Sequence, residues 1–429
     1  MIWGLFALML VAMLAGIPIL LAIALAGHVG VAAAPDIVLP LFAQKMLVQL
    51  DSFTLLALPY FILASALMSA GGMSRQLVEF SRVLVGHLRA GLAHASVVAS
   101  MVLGGISASS TADAAAMGSI VIPTMKRSGY KSGFAAALVA TAGTLGAIIP
   151  PSMTMVIYGA IAQVSIGGLF LGGIIPGVLV GLFLMTTIKL YSYHPDYPEL
   201  RVVHGRFEWA ALGRATREVW PALLGPVIVV GGILGGVFTA TDAGVVACLH
   251  ALVVGLFVSR KLRWRDLPRI LVDSAVMTTL VSGVIAVAGA TGWLLATLQF
   301  NESAVSFVTS MSQSPTVVLL IVAAVMIVLG TFVDSLAVLL VFAPVAIEIS
   351  RKYGIDPYQM GLVMVMCHQI GAVSPPTAPL LFVTTGIAQA TYAETNRHLW
   401  WFMLAQTLVL VLVILVPGLG SWIPHYFLG

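Results

Sequence analysis

The chain has 429 residues, of which 60% are hydrophobic and only 8% are charged, and its formal net charge is +4. A soluble domain of that composition would have too little polar surface to face water, so the mean hydropathy of +1.07 predicts a polytopic, all-α membrane protein. The basic residues are scattered over short loops, which argues against nucleic-acid binding. Cys248 and Cys367 stand alone in apolar surroundings and indicate neither a disulfide framework nor a metal site.

Apolar runs of about 18 residues or more predict membrane-spanning helices. In chain order they cover approximately 2–27, 52–71, 132–163, 167–190, 220–238, 241–258, 274–298, 358–390 and 398–418. The segments 189–217 and 260–269 are rich in Lys and Arg, and the positive-inside rule places both on the cytoplasmic side. The segment 300–315 has neither residue and is expected on the outside.

An internal repeat relates the two halves of the chain. "GYKSGFAAALVATAGTLGAIIPPS" begins at Gly129, and "GIDPYQMGLVMVMCHQIGAVSPPT" begins at Gly354, with the same distance from the glycine to a Pro-Pro pair. The number of spans between the copies makes them inverted, which is typical of secondary transporters. The first copy covers about 1–190 and the second about 241–418. Residues 191–240 form a linker loop with an extra helix, and 419–429 form a C-terminal tail.

Two further apolar stretches, about 90–126 and 316–350, predict re-entrant helical hairpins. The first carries the polar sequence "ISASSTAD" at its centre, and the tip of the second lies near 331–335. The arms of the first stretch, about 90–106 and 113–126, are each too short to cross about 30 Å of hydrocarbon at about 1.5 Å per residue, and the second stretch is its counterpart in the repeat. Irregular backbone at that depth persists only inside protein or beside a water-filled cavity, so both tips are expected near a binding site.

The two Pro-Pro pairs, Pro150-Pro151 and Pro375-Pro376, interrupt the apolar stretches 132–163 and 358–390. Proline removes a backbone donor and clashes with the preceding turn, so each stretch is expected to be a broken helix. The carbonyl end of one half and nearby Ser and Thr hydroxyls suit a hard cation such as Na⁺, while the amide end of the other half favours an anion. We therefore expect one cation site in each copy, with an anionic substrate between them.

Three segments resemble the large membrane subunit of tripartite ATP-independent periplasmic (TRAP) transporters. They are "AGTLGAIIPPSMTMVIYG", "AAAMGSIVIPTMKRSGY" and "VSPPTAPLLFVTTGIA". The resemblance covers nearly the whole chain and implies an inverted-repeat, elevator-type ion transporter fold with two re-entrant hairpins and two broken helices. It also implies Na⁺-coupled import of an organic acid, such as a dicarboxylate or sialic acid, across a bacterial inner membrane. The implied partners are a separate small four-helix membrane subunit and a periplasmic substrate-binding protein, with no cofactor besides the coupling ion.

Carried over by position, the resemblance implies two Na⁺ sites and a substrate site. The first Na⁺ site combines the first hairpin tip and break, with Ser107, Ser109, Ser110, Thr111, Gly146 and Pro150. The second combines the second tip and break, with Thr331, Asp334, Gly371 and Ser374. The residues expected to contact the organic acid are Ser110, Thr144, Ser152, Asp334, Gln369, Pro376 and Thr377. No Lys or Arg lies at the predicted tips or breaks, so the acid would depend on helix termini, hydroxyls, amides and bound cations.

Other functions remain open from the residues alone. The nearest is a stand-alone ion-coupled carboxylate carrier of the related elevator type, which needs no binding protein, and a passive channel is another. The segment 105–108, "GISA", has the Gly-x-Ser-x form of a serine protease with His250 or His368 as a base, and Asp113 and Asp334 could be paired as in an aspartyl protease. Neither enzyme explains the repeat or the Pro-Pro breaks, so a transporter rather than an enzyme is expected.

Overall fold

A computed structural model describes residues 2–34, 37–107, 109–201 and 207–428, and within these ranges every regular element is a helix. The helices of the first half are α1 (Ile2–Leu14), α2 (Ile19–Ala32), α3 (Leu39–Leu50), α4 (Ala57–Ala70), α5 (Met73–Val85), α6 (Gly91–Ser107), α7 (Ser110–Arg127), α8 (Ser132–Gly143), α9 (Met153–Ala162) and α10 (Ile166–Tyr191). Those of the second half are α11 (Trp209–Leu234), α12 (Ala240–Val253), α13 (Leu267–Thr297), α14 (Phe300–Met311), α15 (Pro315–Phe332), α16 (Ser335–Tyr353), α17 (Pro357–Val373), α18 (Pro379–Ala388), α19 (Tyr392–Leu415) and α20 (Gly418–Leu428).

Six helices in the described ranges are long and apolar enough to cross a membrane. They are α10, α11, α12 with the π-helical turn Val254–Val258, α13 with the 3₁₀ turn Trp264–Asp266, α15 and α19. The bent pair α4 and α5, with 68° between the two helices, gives a seventh if it is counted as one span. The prediction of a polytopic α-helical membrane protein is therefore confirmed.

Two predictions about the chain ends are wrong. The expected first span, 2–27, is two helices, because α1 ends at Leu14 and α2 begins at Ile19. Between them Gly16 adopts a left-handed φ of +84°, which ends a helix at no steric cost, and Pro18 precedes the first residue of α2. The expected tail, 419–429, lies in α20 up to residue 428, and that helix packs against α10, α17 and α19.

The predicted hairpins and broken helices each consist of two helices. The stretch 90–126 contains α6 and α7, and 316–350 contains α15 and α16. The first Pro-Pro pair separates α8 and the 3₁₀ turn Thr144–Ala147 from α9, and the second separates α17 from α18. The peptide bond within each pair is cis. Four ends of half-length helices therefore lie at the positions where the prolines predict a break.

The helices pack in two groups. The first group comprises α6 to α10 and α15 to α20, in which α8 packs on α18 and α19, α15 packs on α17, and α10 packs on α19 and α20. The second comprises α1 to α4 and α11 to α13, in which α4 packs on α12 and α13 packs on α2 and α3. The short helices α5 and α14 connect the groups, because α5 contacts α6 and α11 while α14 contacts α13 and α16.

Candidate ion and substrate site

The tip of the first hairpin is a short connection between α6 and α7. Helix α7 begins at Ser110, and the Ser109 hydroxyl accepts a hydrogen bond from Ala112 N (3.5 Å), which caps the helix. Ser110 is buried, whereas Thr111 is exposed. The side chain of Ser107, the other predicted ligand here, lies outside the described residues. The tip thus presents serine hydroxyls where α7 has free backbone amides.

The first break is held by local hydrogen bonds. The Ser152 hydroxyl donates to Ala147 O (2.6 Å) and accepts from Met155 N (3.3 Å), so that it joins the 3₁₀ turn to the start of α9. Thr144 is buried and donates to Thr141 O (2.6 Å). The side chains of Thr144 and Ser152, the two predicted substrate contacts at this break, therefore already bond to the backbone of the break.

The first tip and the first break are in direct contact. A Cβ added at Gly104 would lie 2.8 Å from Gly146 Cα, and one added at Gly143 would lie 2.9 Å from the Cβ of Ala114. A Cβ at Gly146 would collide with the carboxylate of Asp113, which is 1% exposed. The close approach of these backbones requires glycine. The close approach places the buried carboxylate of Asp113 over the turn that follows α8. Residues 109–113 together with 146–152 are named the first tip–break cluster.

The second copy repeats the arrangement. Asp334 caps α16 by accepting from Leu336 N (2.9 Å) and Ala337 N (3.1 Å). The Thr377 hydroxyl, just after the second Pro-Pro pair, donates to Thr331 O (2.9 Å). A Cβ added at Gly371 would lie 3.1 Å from Ser335 Cβ. Residues 331–335 with 371–377 form the second tip–break cluster, which unites the four residues predicted for the second Na⁺ site.

One side-chain hydrogen bond connects the first tip to the second broken helix. The Ser110 hydroxyl donates to Gln369 Oε1 (2.8 Å), and both residues are buried. Gln369 lies half a turn before Gly371 on α17, so this bond brings together two predicted substrate residues that are 259 positions apart. Pro376, the remaining predicted contact, is exposed. The hydrogen bond therefore joins the first tip to the helix that carries the second break.

Sequence reasoning missed Gln406, and it did not assign Asp113 or His368 to these clusters. Asp113 and His368 were named only as candidate protease residues, and the contact of Asp113 with Gly146 depends on the fold. Gln406 of α19 donates to Thr144 Oγ1 (2.6 Å) and Thr141 O (3.0 Å). His368 of α17 is beside Asp334. A glutamine within a 24-residue apolar helix was the available signal for Gln406, but nothing local identifies its partner.

The side chains and carbonyls collected here suit a hard cation and an anion. Serine and threonine hydroxyls, carboxylates and helix-end carbonyls are oxygen ligands of the kind that hard cations prefer. Within the described residues, no three His, Cys, Asp or Glu side chains are grouped as they would be for a transition metal. Helices α7, α9, α16 and α18 all begin at the clusters, and their amide ends favour negative charge.

Residues 3–419 match the family described as the tripartite ATP-independent periplasmic transporter, DctM component. The chain is 38% identical to the C4-dicarboxylate TRAP transporter large permease protein DctM of Pseudomonas aeruginosa, over 91% of each chain. It is 33% identical to the sialic acid TRAP transporter large permease protein SiaM of Vibrio cholerae, over 90% of each. It is also 31% identical to the 2,3-diketo-L-gulonate TRAP transporter large permease protein YiaN of Escherichia coli, over 88% of each.

Proposed function

Because the chain belongs to the family of DctM components, the large permease subunits of TRAP transporters, we propose that it carries an organic acid across the bacterial inner membrane together with Na⁺. The observation that supports this most directly is the pair of tip–break clusters joined by the hydrogen bond between Ser110 and Gln369. Two oxygen-rich clusters with helix amide ends between them provide for two cations and one anion in a single place.

In the proposed arrangement each cluster binds one Na⁺. The first ion is held by the tip at Ser109 and Ser110 with carbonyls of the turn 144–147, and the second by Thr331, Asp334 and the carbonyls that end α17. A cation in each cluster would compensate the carbonyl ends of α8 and α17, which the proline pairs leave without the next helical turn.

The organic acid is proposed to bind between the clusters. Gln369 and Thr377 line this region from the second copy, and Ser110 from the first. Since no Lys or Arg lies at the tips or breaks, the two bound Na⁺ ions and the amide ends of the helices would supply the positive potential for a carboxylate. Binding of the acid would then depend on Na⁺, which couples the two fluxes.

The names of the relatives specify a C4-dicarboxylate, sialic acid and 2,3-diketo-L-gulonate as their substrates. These compounds have a carboxylate in common, so we propose an organic acid as the substrate class here too. By the same family argument the chain would work with a small membrane subunit and a periplasmic binding protein. Each net positive charge that enters releases about 2.3 kcal/mol per 100 mV, which supports roughly 50-fold accumulation.

The proposed transport movement is a displacement of the helix group that contains both clusters against the other group. The clusters lie wholly within α6 to α10 and α15 to α20, so substrate and ions would travel with the first helix group, sliding along its direct contacts with the second group, such as that between α13 and α16. Helices α5 and α14 contact the hairpins of their own copies and join them to the second group, which makes them the natural connections for an elevator mechanism.

Na⁺ binding is tested by the melting temperature of the purified chain in NaCl and in KCl at equal ionic strength. Binding to the folded state raises the unfolding free energy by about 2.7 kcal/mol at a concentration of 100 Kd, so we expect a Na⁺-specific increase that shrinks in Ser110→Ala and Thr331→Ala. Ser119→Ala and Thr278→Ala are matched controls, because both hydroxyls donate only to carbonyls of their own helices. Equal melting in both salts, with the small subunit present, would contradict Na⁺ coupling.

Transport is tested in proteoliposomes that contain the chain and the small subunit. Uptake of a labelled organic acid is expected only with an inward Na⁺ gradient and with the acid loaded on the binding protein. Uptake of the free acid at the same rate would instead support the stand-alone carrier.

A further inference from the structure

Apart from the two tip–break clusters, a polar cavity lies at the base of the first hairpin, at the other end of α7 from the first tip. Its volume is about 340 Å³, within the lower range of small-ligand sites, which extends from about 300 to 1,000 Å³. Its walls come from three places: the end of α5 with Arg82 and His87, the base of the hairpin with Thr124 and Ser128, and the start of α11 with Glu208. The cavity therefore touches both helix groups.

Groups of opposite charge line this cavity. Arg82 uses Nε and Nη2 to hold Glu79 (3.1 and 2.7 Å), which leaves Nη1 without a hydrogen bond to any described residue. His87 Nδ1 is buried and has no partner among the described residues. Glu208 precedes α11, is exposed, and makes no side-chain cap to that helix. The cavity thus offers a guanidinium and an imidazole to an anion, and a carboxylate to a cation.

The position of α5 indicates that the ligand of this cavity comes from the membrane interface. This helix follows α4 at an angle of 68° and has one buried apolar face, with Met73 and Leu77, and one charged face, with Arg75 and Glu79. A helix of this kind lies in the plane of the membrane interface, at the level of the lipid headgroups. The remaining walls, Val83, Leu92 and Ala211, are apolar.

We propose that this cavity binds the headgroup of a phospholipid that carries both a phosphate and a primary ammonium group. The phosphate accepts hydrogen bonds from Arg82 Nη1, the Ser128 hydroxyl and the ring N–H of His87, and the ammonium group donates to Glu208. The glycerol end of the lipid lies against Val83, Leu92 and Ala211. A bound headgroup fills the space between α5, α11 and the hairpin base, and so joins the two helix groups at this end of the molecule.

The test is native mass spectrometry and thermal unfolding of the purified complex, titrated with phosphatidylethanolamine, phosphatidylcholine and phosphatidylglycerol of the same acyl chains. We expect phosphatidylethanolamine to bind about tenfold more tightly than the other two, because only its headgroup donates N–H bonds to a carboxylate while its phosphate is held. Glu208→Gln should remove the preference over phosphatidylcholine. Arg82→Gln should weaken the binding of both phosphatidylethanolamine and phosphatidylcholine about tenfold. Arg89 is a basic residue of the same segment that does not line the cavity, so Arg89→Gln should change the binding of neither lipid.

The outcomes separate this site from the proposed transport site. Glu208 is exposed, so its variant tests the lipid preference without disturbing the fold, and Na⁺-dependent stabilisation of each variant reports whether the tip–break clusters are intact. Equal binding of the three lipids to the wild-type chain, or an unchanged preference in Glu208→Gln, would overturn the proposal. Equal stabilisation by soluble glycerophosphoethanolamine would overturn the assignment to a lipid and show that a free zwitterion is the ligand.

Discussion

The contact between the first hairpin and the first break depends on Gly104, and its replacement by alanine is the sharpest test of that packing. The added Cβ would lie 2.8 Å from Gly146 Cα and 3.0 Å from both Gly146 N and Leu145 O. All three are backbone atoms of the 3₁₀ turn or its neighbours, so no flexible side chain can move aside. Overpacking of this kind costs about 1–3 kcal/mol, and relief of the strain would push the hairpin away from the break.

The control is Gly213→Ala, in the first turns of α11. Among the described residues outside its own helical turn, no atom lies within 4 Å of a Cβ at Gly213, so this substitution is left with the gain in helix propensity, about 1 kcal/mol. Gly104 is also within a helix, α6, and the same gain applies there. The two variants should therefore shift unfolding in opposite directions, with a difference of about 1–3 kcal/mol set by the contact alone.

The assay is thermal unfolding of both variants in detergent, in NaCl and in KCl. We expect Gly104→Ala to melt below the wild type by a few degrees and to lose part of any Na⁺-specific stabilisation, since the cluster opens. Gly213→Ala should melt at or above the wild type with its Na⁺ response intact. If Gly104→Ala were as stable as Gly213→Ala, the hairpin would not be packed on the break as described.

Three further predictions concern other contacts. Gln359 donates to Val413 O and Ile414 O at the end of α19, so Gln359→Leu should lower the unfolding free energy by about 1–3 kcal/mol, measured by thermal unfolding, while Na⁺ stabilisation persists. Asp334→Ala should lose about 1 kcal/mol with the α16 cap, whereas Asp334→Asn should keep the cap and reduce only the Na⁺ response. Lys131 lies 4.1 Å from the Tyr197 ring and donates to Asp196 O; Lys131→Met should weaken that contact by about 0.5–1 kcal/mol and raise the rate of proteolysis in the linker.

The elements that the sequence predicted well are those with a cause inside the segment. Each Pro-Pro pair removes donors from its own helix, so the ends of α8 and α17 follow from local chemistry. The division of each predicted hairpin into two helices follows from the polar residues at its tip, which is also a local argument, although α15 is long enough to cross a membrane by itself. The break at Gly16 lies within a continuous apolar run, because the residues on both sides of it are hydrophobic, and α1 and α2 were predicted as a single span for that reason.

The side-chain partners were beyond local reasoning. A glutamine in an apolar helix indicates that it has a hydrogen-bond partner. The partners of Gln369, Gln406 and Gln359, however, are 259, 265 and 54 residues away in the sequence. Residues so far apart in the sequence meet only when α7, α8, α17 and α19 come together in the fold. Helix α5 was missed for a different reason. The charged residues on one face lower its mean hydropathy, although the separation of its charged and apolar residues onto opposite faces marks it as interfacial.

The two tip–break clusters are less alike than the repeat predicts. Asp113 and Asp334 occupy equivalent positions, each ten residues before a hairpin proline, Pro123 and Pro344. Yet α7 begins 13 residues before its proline and α16 begins only nine before its own, so the first hairpin returns with about one more turn, roughly 6 Å. Asp113 is therefore inside its helix and lies over Gly146, while Asp334 is a cap whose Oδ1 is already occupied by two backbone amides. The carboxylates of the two proposed Na⁺ sites are therefore placed differently relative to the ends of their helices, so the two sites should differ in affinity.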